Sequence, residues 1–163
     1  MARTATTTKK NLINMDLLKE NVLAVSKKPH VKIGVLEGKA EQEKKTDDGS
    51  ESKLTLVEVA TFHEFGTVHT PERSFLRGTI EAKRAEFQNA TVSIFKKVSS
   101  AQMHWKKGLS ILGELIQSNV VRRIRDGIEP ELDQKTIKAK GSSKQLIDTG
   151  QMVQSIRYEV KES

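Results

Sequence analysis

The chain has 163 residues and a formal net charge of +7 at pH 7, and 36% of its residues are hydrophobic, 30% charged and 4% aromatic. This length fits one domain with a buried core, and the absence of cysteine excludes disulfide frameworks, zinc–thiolate sites and thiol nucleophiles. No apolar run approaches the roughly 18 residues that a membrane span requires, and the polar start of the chain lacks the apolar segment of a secretory signal. We therefore expect a soluble, basic protein that is made inside the cell and has no membrane partner.

The first part of the chain is predicted to contain a flexible arm, a helix and a strand. Residues 1–12 are small and polar without periodicity, which predicts a flexible N-terminal arm. A helix is predicted from the N-cap Asn14 to about Lys28, where Pro29 ends it. Alternating apolar residues predict a strand over residues 31–36. The apolar residues that share one face of the helix are Met15, Leu18, Val22 and Val25.

The middle of the chain combines one polar segment with three predicted helices. Residues 38–53 contain no apolar residue larger than alanine and cannot bury enough surface to offset their ordering entropy, so we expect a long mobile loop. Periodic apolar residues predict a helix over 54–65 that ends at Gly66, a long helix over 73–100 and another over 106–126. The stripes of the two longer helices contain Leu76, Ile80, Phe87, Ile94 and Val98, and Leu109, Leu112, Ile116, Val120 and Ile124.

The end of the chain predicts a second strand. Residues 156–161 alternate apolar and polar side chains, as the first strand does. Strands at opposite ends of the chain with helices between them indicate an α+β fold, in which a small antiparallel sheet packs against one long and several shorter helices. Residues 13–163 would form this single domain. Because two strands make a poor sheet by themselves, either further strands exist or neighbouring subunits complete the sheet.

One triplet suggests an enzyme. Asp148-Thr149-Gly150 follows two apolar residues, as the same triplet does in aspartic proteases, where two such carboxylates share a proton. Here Gln151 replaces the small residue that follows the triplet in a protease, and the chain is predicted to be mainly helical. We therefore interpret Asp148 or Thr149 as the cap of a short helical turn over residues 151–153 and expect no enzymatic activity.

Other chemical motifs are incomplete. His63 and His69 do not have the i, i+4 spacing of a zinc-binding helix, so we expect a packing role for His63. The segment from Lys140 to Lys144 contains Gly-Ser-Ser but lacks the first glycine and the Gly-Lys-Ser/Thr end of a phosphate-binding loop, and we interpret it as a flexible basic loop. We expect neither a metal nor a cofactor.

The densest cationic group consists of Arg122, Arg123 and Arg125. Helical spacing places Arg122 and Arg125 away from the apolar stripe and Arg123 at its edge. We interpret the group as a solvated helix end, and contact with a specific partner is the second interpretation. Trp105, next to His104 at the join of the two longer helices, is interpreted as a packing anchor.

Four segments occur in a characteristic order. An apolar helix ends in His63-Glu64-Phe65-Gly66-Thr67, and Pro71-Glu72-Arg73-Ser74-Phe75-Leu76-Arg77 follows it. The third segment is residues 124–128 followed by 136–143, and the fourth is Leu146-Ile147-Asp148-Thr149-Gly150 with the strand after it. In this order the segments resemble the tail-completion, or head–tail joining (neck), proteins of long-tailed bacteriophages, over about residues 54–160.

The resemblance implies a structural virion protein without enzymatic activity. Copies of the chain would form a homo-oligomeric ring, a hexamer in this family, at the head–tail junction, as a tail-completion, tail-terminator or neck protein. The partners would be the tail tube protein and the head-completion or connector protein, and DNA would pass through the ring without specific binding. Assembly would take place in the host cytoplasm.

The resemblance also implies which residues take part. The structural or interface positions in the family motifs are His63, Glu64, Phe65, Gly66, Arg73, Phe75, Leu76, Asp148, Thr149 and Gly150. In such a ring, the charge of five basic residues, and not a family motif, makes them the candidates for contact with the passing DNA or a partner: Arg122, Arg123, Arg125, Lys140 and Lys144.

The residues themselves add two expectations. At the start of the long helix, Phe75 and Leu76 can pack inward while Arg73 meets a carboxylate, which we take to be that of Glu64. The alternative to a ring protein is a small basic nucleic-acid-binding protein, which the net charge of +7 and the arginine group favour.

Overall fold

Six helices and two small antiparallel sheets make up the residues that the computed structural model describes, namely 13–36, 43–45, 51–68, 70–130 and 151–162. This mixture confirms the predicted α+β fold. Within these ranges, no helix has both the length and the hydrophobicity to cross a bilayer. In chain order the elements are α1 (Met15–Ser26), β1 (His30–Val35), β2 (Glu43–Lys45), β3 (Glu51–Thr55), α2 (Leu56–Phe65), α3 (Arg77–Ala82), α4 (Arg84–Ser99), α5 (Trp105–Asp126), α6 (Gln151–Ser155) and β4 (Ile156–Lys161).

The two predicted end strands pair with each other. β1 and β4 run antiparallel, with Val35 opposite Ile156. The helix α5, which lies where the sequence predicts it, packs against both strands. Its residues Val120 and Ile124 are fully buried, as is Ile156. The buried core also contains Ala60, Phe75, Ile128, Met152 and Val153.

The segment predicted as a mobile loop, residues 38–53, contains a strand pair. β2 and β3 are antiparallel, with Lys45 opposite Glu51. The prediction is therefore wrong for residues 43–45 and 51–53, because strand pairing satisfies backbone hydrogen bonds without apolar side chains. The rest of the segment lies outside the described residues, as does the predicted arm, residues 1–12.

The chain passes directly from β3 into α2. The Thr55 hydroxyl accepts a hydrogen bond from the Glu58 N–H at 3.3 Å, and the Glu58 carboxylate accepts one from the Thr55 N–H at 2.8 Å, which makes a capping box. The hydrogen bonds from the backbone N–H and the hydroxyl of Thr55 lower the pKa of Glu58. For this reason α2 begins at Leu56 and not at position 54, and it ends before Gly66 as predicted.

The predicted long helix over residues 73–100 is two helices. Residues 73–76 are not helical, and α3 begins only at Arg77, where side chains from outside the helix accept bonds from its first N–H groups. At Lys83 the backbone has φ −108° and ψ 14°, which separates α3 from α4. The Lys83 N–H still donates to the carbonyl of Thr79, and the Phe87 N–H to that of Lys83, each at 3.0 Å. The break is therefore confined to one residue.

The first helix begins where predicted and ends at Ser26, two residues before the predicted end, and it packs through a different face. Asn14 caps α1 by accepting a bond from the Leu17 N–H at 3.0 Å. The residues of α1 that are buried are Asn21 and Ala24. The predicted apolar face is not the packed one, since each of the following side chains is more than half exposed: Met15, Val22, Leu23 and Val25. We call these four residues the α1 surface.

A single buried amide attaches α1 to the corner between α4 and α5. The Asn21 side-chain amide donates to the carbonyls of Val98 and Met103, at 2.8 and 2.9 Å, and its oxygen accepts from the Trp105 N–H at 3.0 Å. Asn21 is only 4% exposed. Trp105 is also buried, in agreement with its predicted packing role. The preceding residue, His104, is the N-cap of α5. Since Asn21 is the buried polar residue of α1, it fixes the position of the helix.

Replacing Asn21 with alanine is expected to lower the free energy of unfolding by about 2–4 kcal/mol, because two carbonyls and one N–H would lose their buried partner. Urea denaturation followed by circular dichroism measures this change. The control is Lys19→Ala on the exposed side of the same helix, which should change the value by less than about 0.5 kcal/mol. Equal stability of the two variants would contradict the role of Asn21.

Candidate assembly surface

Two of the sequence motifs meet in one joint between α2 and α3. The Arg73 N–H donates to the carbonyl of His63 at 2.7 Å, which brings the second motif back against the first. Between them, residues 67 and 70 close a tight turn through a bond from the Thr67 N–H to the Thr70 carbonyl at 2.7 Å. The motif residues are therefore neighbours in space, although each motif was identified separately.

The joint is organised by the carboxylate of Glu64, which is 5% exposed. One oxygen accepts from the Ser74 hydroxyl and the Arg77 N–H at 2.8 Å each, and from Arg77 Nε at 3.2 Å. The other oxygen accepts from the Leu76 N–H at 2.8 Å. In turn, the Ser74 hydroxyl accepts from the Gly78 N–H at 3.0 Å. An acidic side chain from α2 thus caps the start of α3, where negative charge is favoured.

Gly66 lets the chain turn sharply after α2. Its φ is +73°, in the region that side chains disfavour, and a Cβ atom at this position would lie 2.9 Å from the backbone nitrogen of Glu72. A glycine is therefore required both by the backbone conformation and by the close approach of the returning chain.

The arginines of the second motif have different roles from those predicted. The guanidinium that reaches Glu64 is that of Arg77, which also forms an ion pair with Glu72 at 2.7 Å. Arg73, which is 4% exposed, instead donates from Nε to the carbonyl of Pro130 at 2.9 Å. Burial lowers the pKa of Arg73. The expected pairing of Arg73 with Glu64 is therefore replaced by a longer-range bond that ties the joint to the segment after α5.

The remaining motif residues divide between core and surface. Phe75 is buried in the core and Leu76 packs against it, as predicted. Phe65 is 60% exposed, and the Arg77 guanidinium carbon lies 4.7 Å from the centre of its ring. His63 is half-buried. Of the two aromatic motif residues beside the polar network, Phe75 therefore lies in the core and Phe65 at the surface.

Phe65 belongs to a second exposed apolar surface. Phe62 and Phe65 lie on the side of α2 that faces away from the buried Ala60 and Glu64, and Val57, in the first turn of the helix, is exposed beside the packed face. Val68, just after the helix, is almost fully exposed. We call Val57, Phe62, Phe65 and Val68 the α2 surface. Large contiguous apolar patches are uncommon on monomeric proteins, whereas single exposed apolar side chains are normal.

The structure describes only some of the predicted cationic residues. Arg122 and Arg125 are exposed and Arg123 is half-buried, as helical spacing predicts. Lys140, Lys144 and the triplet Asp148-Thr149-Gly150 lie outside the described residues, so their roles stay predictions. The short helix predicted after the triplet is present as α6. In the part of the chain that the structure describes, no three His, Asp or Glu residues lie close enough together to hold a metal ion.

Comparison with protein-family models, with curated proteins and with solved structures finds no match for this chain. The resemblance to phage neck proteins therefore stays a prediction from the sequence motifs. What the geometry adds is a physical reason for two of those motifs, since their residues build one joint.

Glu64→Gln is expected to lower the free energy of unfolding by about 2–3 kcal/mol, because the amide removes the charge and opposes one N–H donor with another. The matched control is Glu72→Gln, which removes the same charge from a partner of the same Arg77 but at an exposed position. Its effect should stay below about 1 kcal/mol. Chemical denaturation of both variants gives the comparison, and equal losses would contradict the central place of Glu64.

Proposed function

We propose that this chain is a structural, non-enzymatic virion protein that forms a ring at the head–tail junction of a long-tailed bacteriophage. The observation that carries the proposal is the presence of two exposed apolar surfaces on different helices, the α1 surface and the α2 surface. A closed ring needs two different, complementary surfaces on each copy. We infer that the α1 surface of one copy packs against the α2 surface of the next.

The small sheet supports the same proposal. β1 and β4 have no further strand beside them among the described residues, so each strand has an outer edge. An outer edge can accept a strand from another chain. A neighbouring subunit could therefore extend the sheet, as the shortage of strands in the sequence suggests.

The polar joint between α2 and α3 supplies the rigidity that a ring subunit needs. Because Glu64 fixes the start of α3, the α2 surface has a defined position relative to the core. The proposed partners are further copies of the chain, the tail tube protein and the head-completion or connector protein. The net charge of +7 suits a protein through whose ring DNA passes without sequence readout.

The second candidate function is a small basic protein whose main role is nucleic-acid binding. The exposed Arg122 and Arg125 favour it. This candidate predicts a monomer that binds DNA, whereas the first predicts annular particles that form without DNA.

Size-exclusion chromatography with light scattering and negative-stain images test the ring. The wild-type chain is expected to form annular particles, alone or on added tail tubes, and Leu23→Glu on the α1 surface or Phe62→Glu on the α2 surface should abolish them. Both positions are exposed, so the circular dichroism spectrum should not change. Gln102→Glu adds the same charge at an exposed loop position and is the control.

Mixing the two variants makes the test specific. Leu23→Glu keeps an intact α2 surface and Phe62→Glu an intact α1 surface, so the mixture should give a one-to-one dimer and no ring. A wild-type chain that stays monomeric even with tail tubes would overturn the proposal. Rings that survive both substitutions would show that other surfaces make the contact.

A further inference from the structure

A groove lies between α3, the break at Lys83 and the last turns of α5. Its volume is about 250 Å³, and the residues around it that carry charge or an amide are Lys83, Asn119, Arg122, Arg123 and Asp126. Two arginines of the predicted cationic group line the groove. The contacts of the joint between α2 and α3 do not indicate what this groove binds, so its ligand is a separate question.

The guanidinium of Arg123 is held in place inside this groove. Its Nε donates to the carbonyl of Ser74 at 3.1 Å. A Cβ atom at Gly78 would lie 2.8 Å from its Nη2, so the guanidinium lies close against the first turn of α3. Neither Nη group of Arg123 has a hydrogen bond to any residue that the structure describes. The side chain is thus preorganised, with several N–H donors available to a ligand.

A buried amide next to Arg123 also has free hydrogen-bonding capacity. Asn119 is 7% exposed and donates one N–H to the carbonyl of Leu115 at 2.9 Å. Its second N–H and its oxygen have no partner within the described ranges. Asn119 lines the groove, and its oxygen is not one of the buried side-chain atoms that lack a partner, so these groups are accessible to water or to a ligand in the groove.

The charges around the groove indicate which class of ligand it would suit. Arg122 is exposed and forms no ion pair with the residues seen in the structure, and Lys83 pairs with Glu86 at 3.0 Å across an exposed contact. Against these cations stands one acid, Asp126. Guanidinium groups bind tetrahedral oxyanions through paired N–H donors, and a phosphate offers more acceptor oxygens than a carboxylate.

We propose that this groove binds a phosphate group, supplied either by free phosphate or by a DNA backbone. Arg123 and Asn119 form the fixed part of the site, and Arg122 closes it from the solvent side. The proposal does not rest on the ring, because a single copy of the chain contains every residue named. A failure to form rings and a failure to bind phosphate are therefore distinguishable.

Backbone and side-chain NH resonances of the full chain, titrated with sodium phosphate and with sodium chloride at equal ionic strength, test the site. We expect saturable shifts of the Asn119 amide and of Arg123 Nε with phosphate only. Arg122→Gln should weaken phosphate binding about tenfold, the loss of roughly one charge-assisted hydrogen bond. Arg125→Gln removes the same charge from the same helix but outside the groove, and should weaken it less than about threefold.

A short DNA duplex identifies the source of the phosphate. If the site takes a backbone phosphate, Arg122→Gln should lower DNA affinity more than Arg125→Gln and reduce the salt dependence of binding by about one counterion. If free phosphate saturates the site while the two variants bind DNA equally, the ligand is a free phosphate. Absence of saturable shifts, or equal losses of phosphate affinity in the two variants, would overturn the proposal.

Discussion

The carboxylate of Glu64 is the group on which the rest of the described structure depends. It accepts four hydrogen bonds from three residues of the returning chain. Without this acceptor, the N–H groups at the start of α3 would be unpaired and the chain after Gly66 would lack a fixed path. Phe75, which follows on the same returning segment, lies in the core.

The same joint also shapes the phosphate groove. Ser74 donates its hydroxyl to Glu64, and its carbonyl accepts from Arg123 Nε. A displacement of Ser74 would therefore displace the guanidinium of Arg123 as well. The bond between Arg123 and Ser74 links the groove to the joint, whereas the hydrogen bonds of the Glu64 carboxylate do not involve α5. A variant at Glu64 should thus affect both features, and one at Arg122 only the groove.

Sequence patterns were sufficient where the signal is local. The limits of α1, α5, β1 and β4 follow from caps and from apolar periodicity, which depend on neighbouring residues. The α+β class follows from the order of these elements. Sequence patterns did not predict features that depend on contacts between distant residues. Asn21, for example, bonds to carbonyls about eighty residues further along the chain, and the apolar periodicity of α1 gives no indication of such a bond. The apolar stripe over residues 73–100 is regular, so it predicted one continuous helix and gave no sign of the break at Lys83.

The candidate site shows the same division. The motif residues were found from their order, and their meeting in space is new information, as is the identity of the arginine that binds Glu64. Arg77 is the last residue of the second motif, but a turn separates it from Glu64. Because the sequence does not specify the geometry of that turn, the ion pair between the two residues could not be predicted. Asn119 had no signal at all, because a lone asparagine in a helix is usually a surface residue. Only its burial beside two arginines distinguishes it.

The distribution of polarity carries the argument one step further. Glu64, Arg73, Asn21 and Asn119 are buried, while the α1 surface and the α2 surface expose branched and aromatic side chains. Buried polar groups add little net stability, but they demand partners in defined positions, so they favour one geometry over its alternatives. Exposed apolar side chains are unfavourable in an isolated copy and become favourable only when another surface covers them. Buried polar contacts at the edges of a hydrophobic core, together with exposed apolar faces in defined positions, are the features on which the proposed assembly rests.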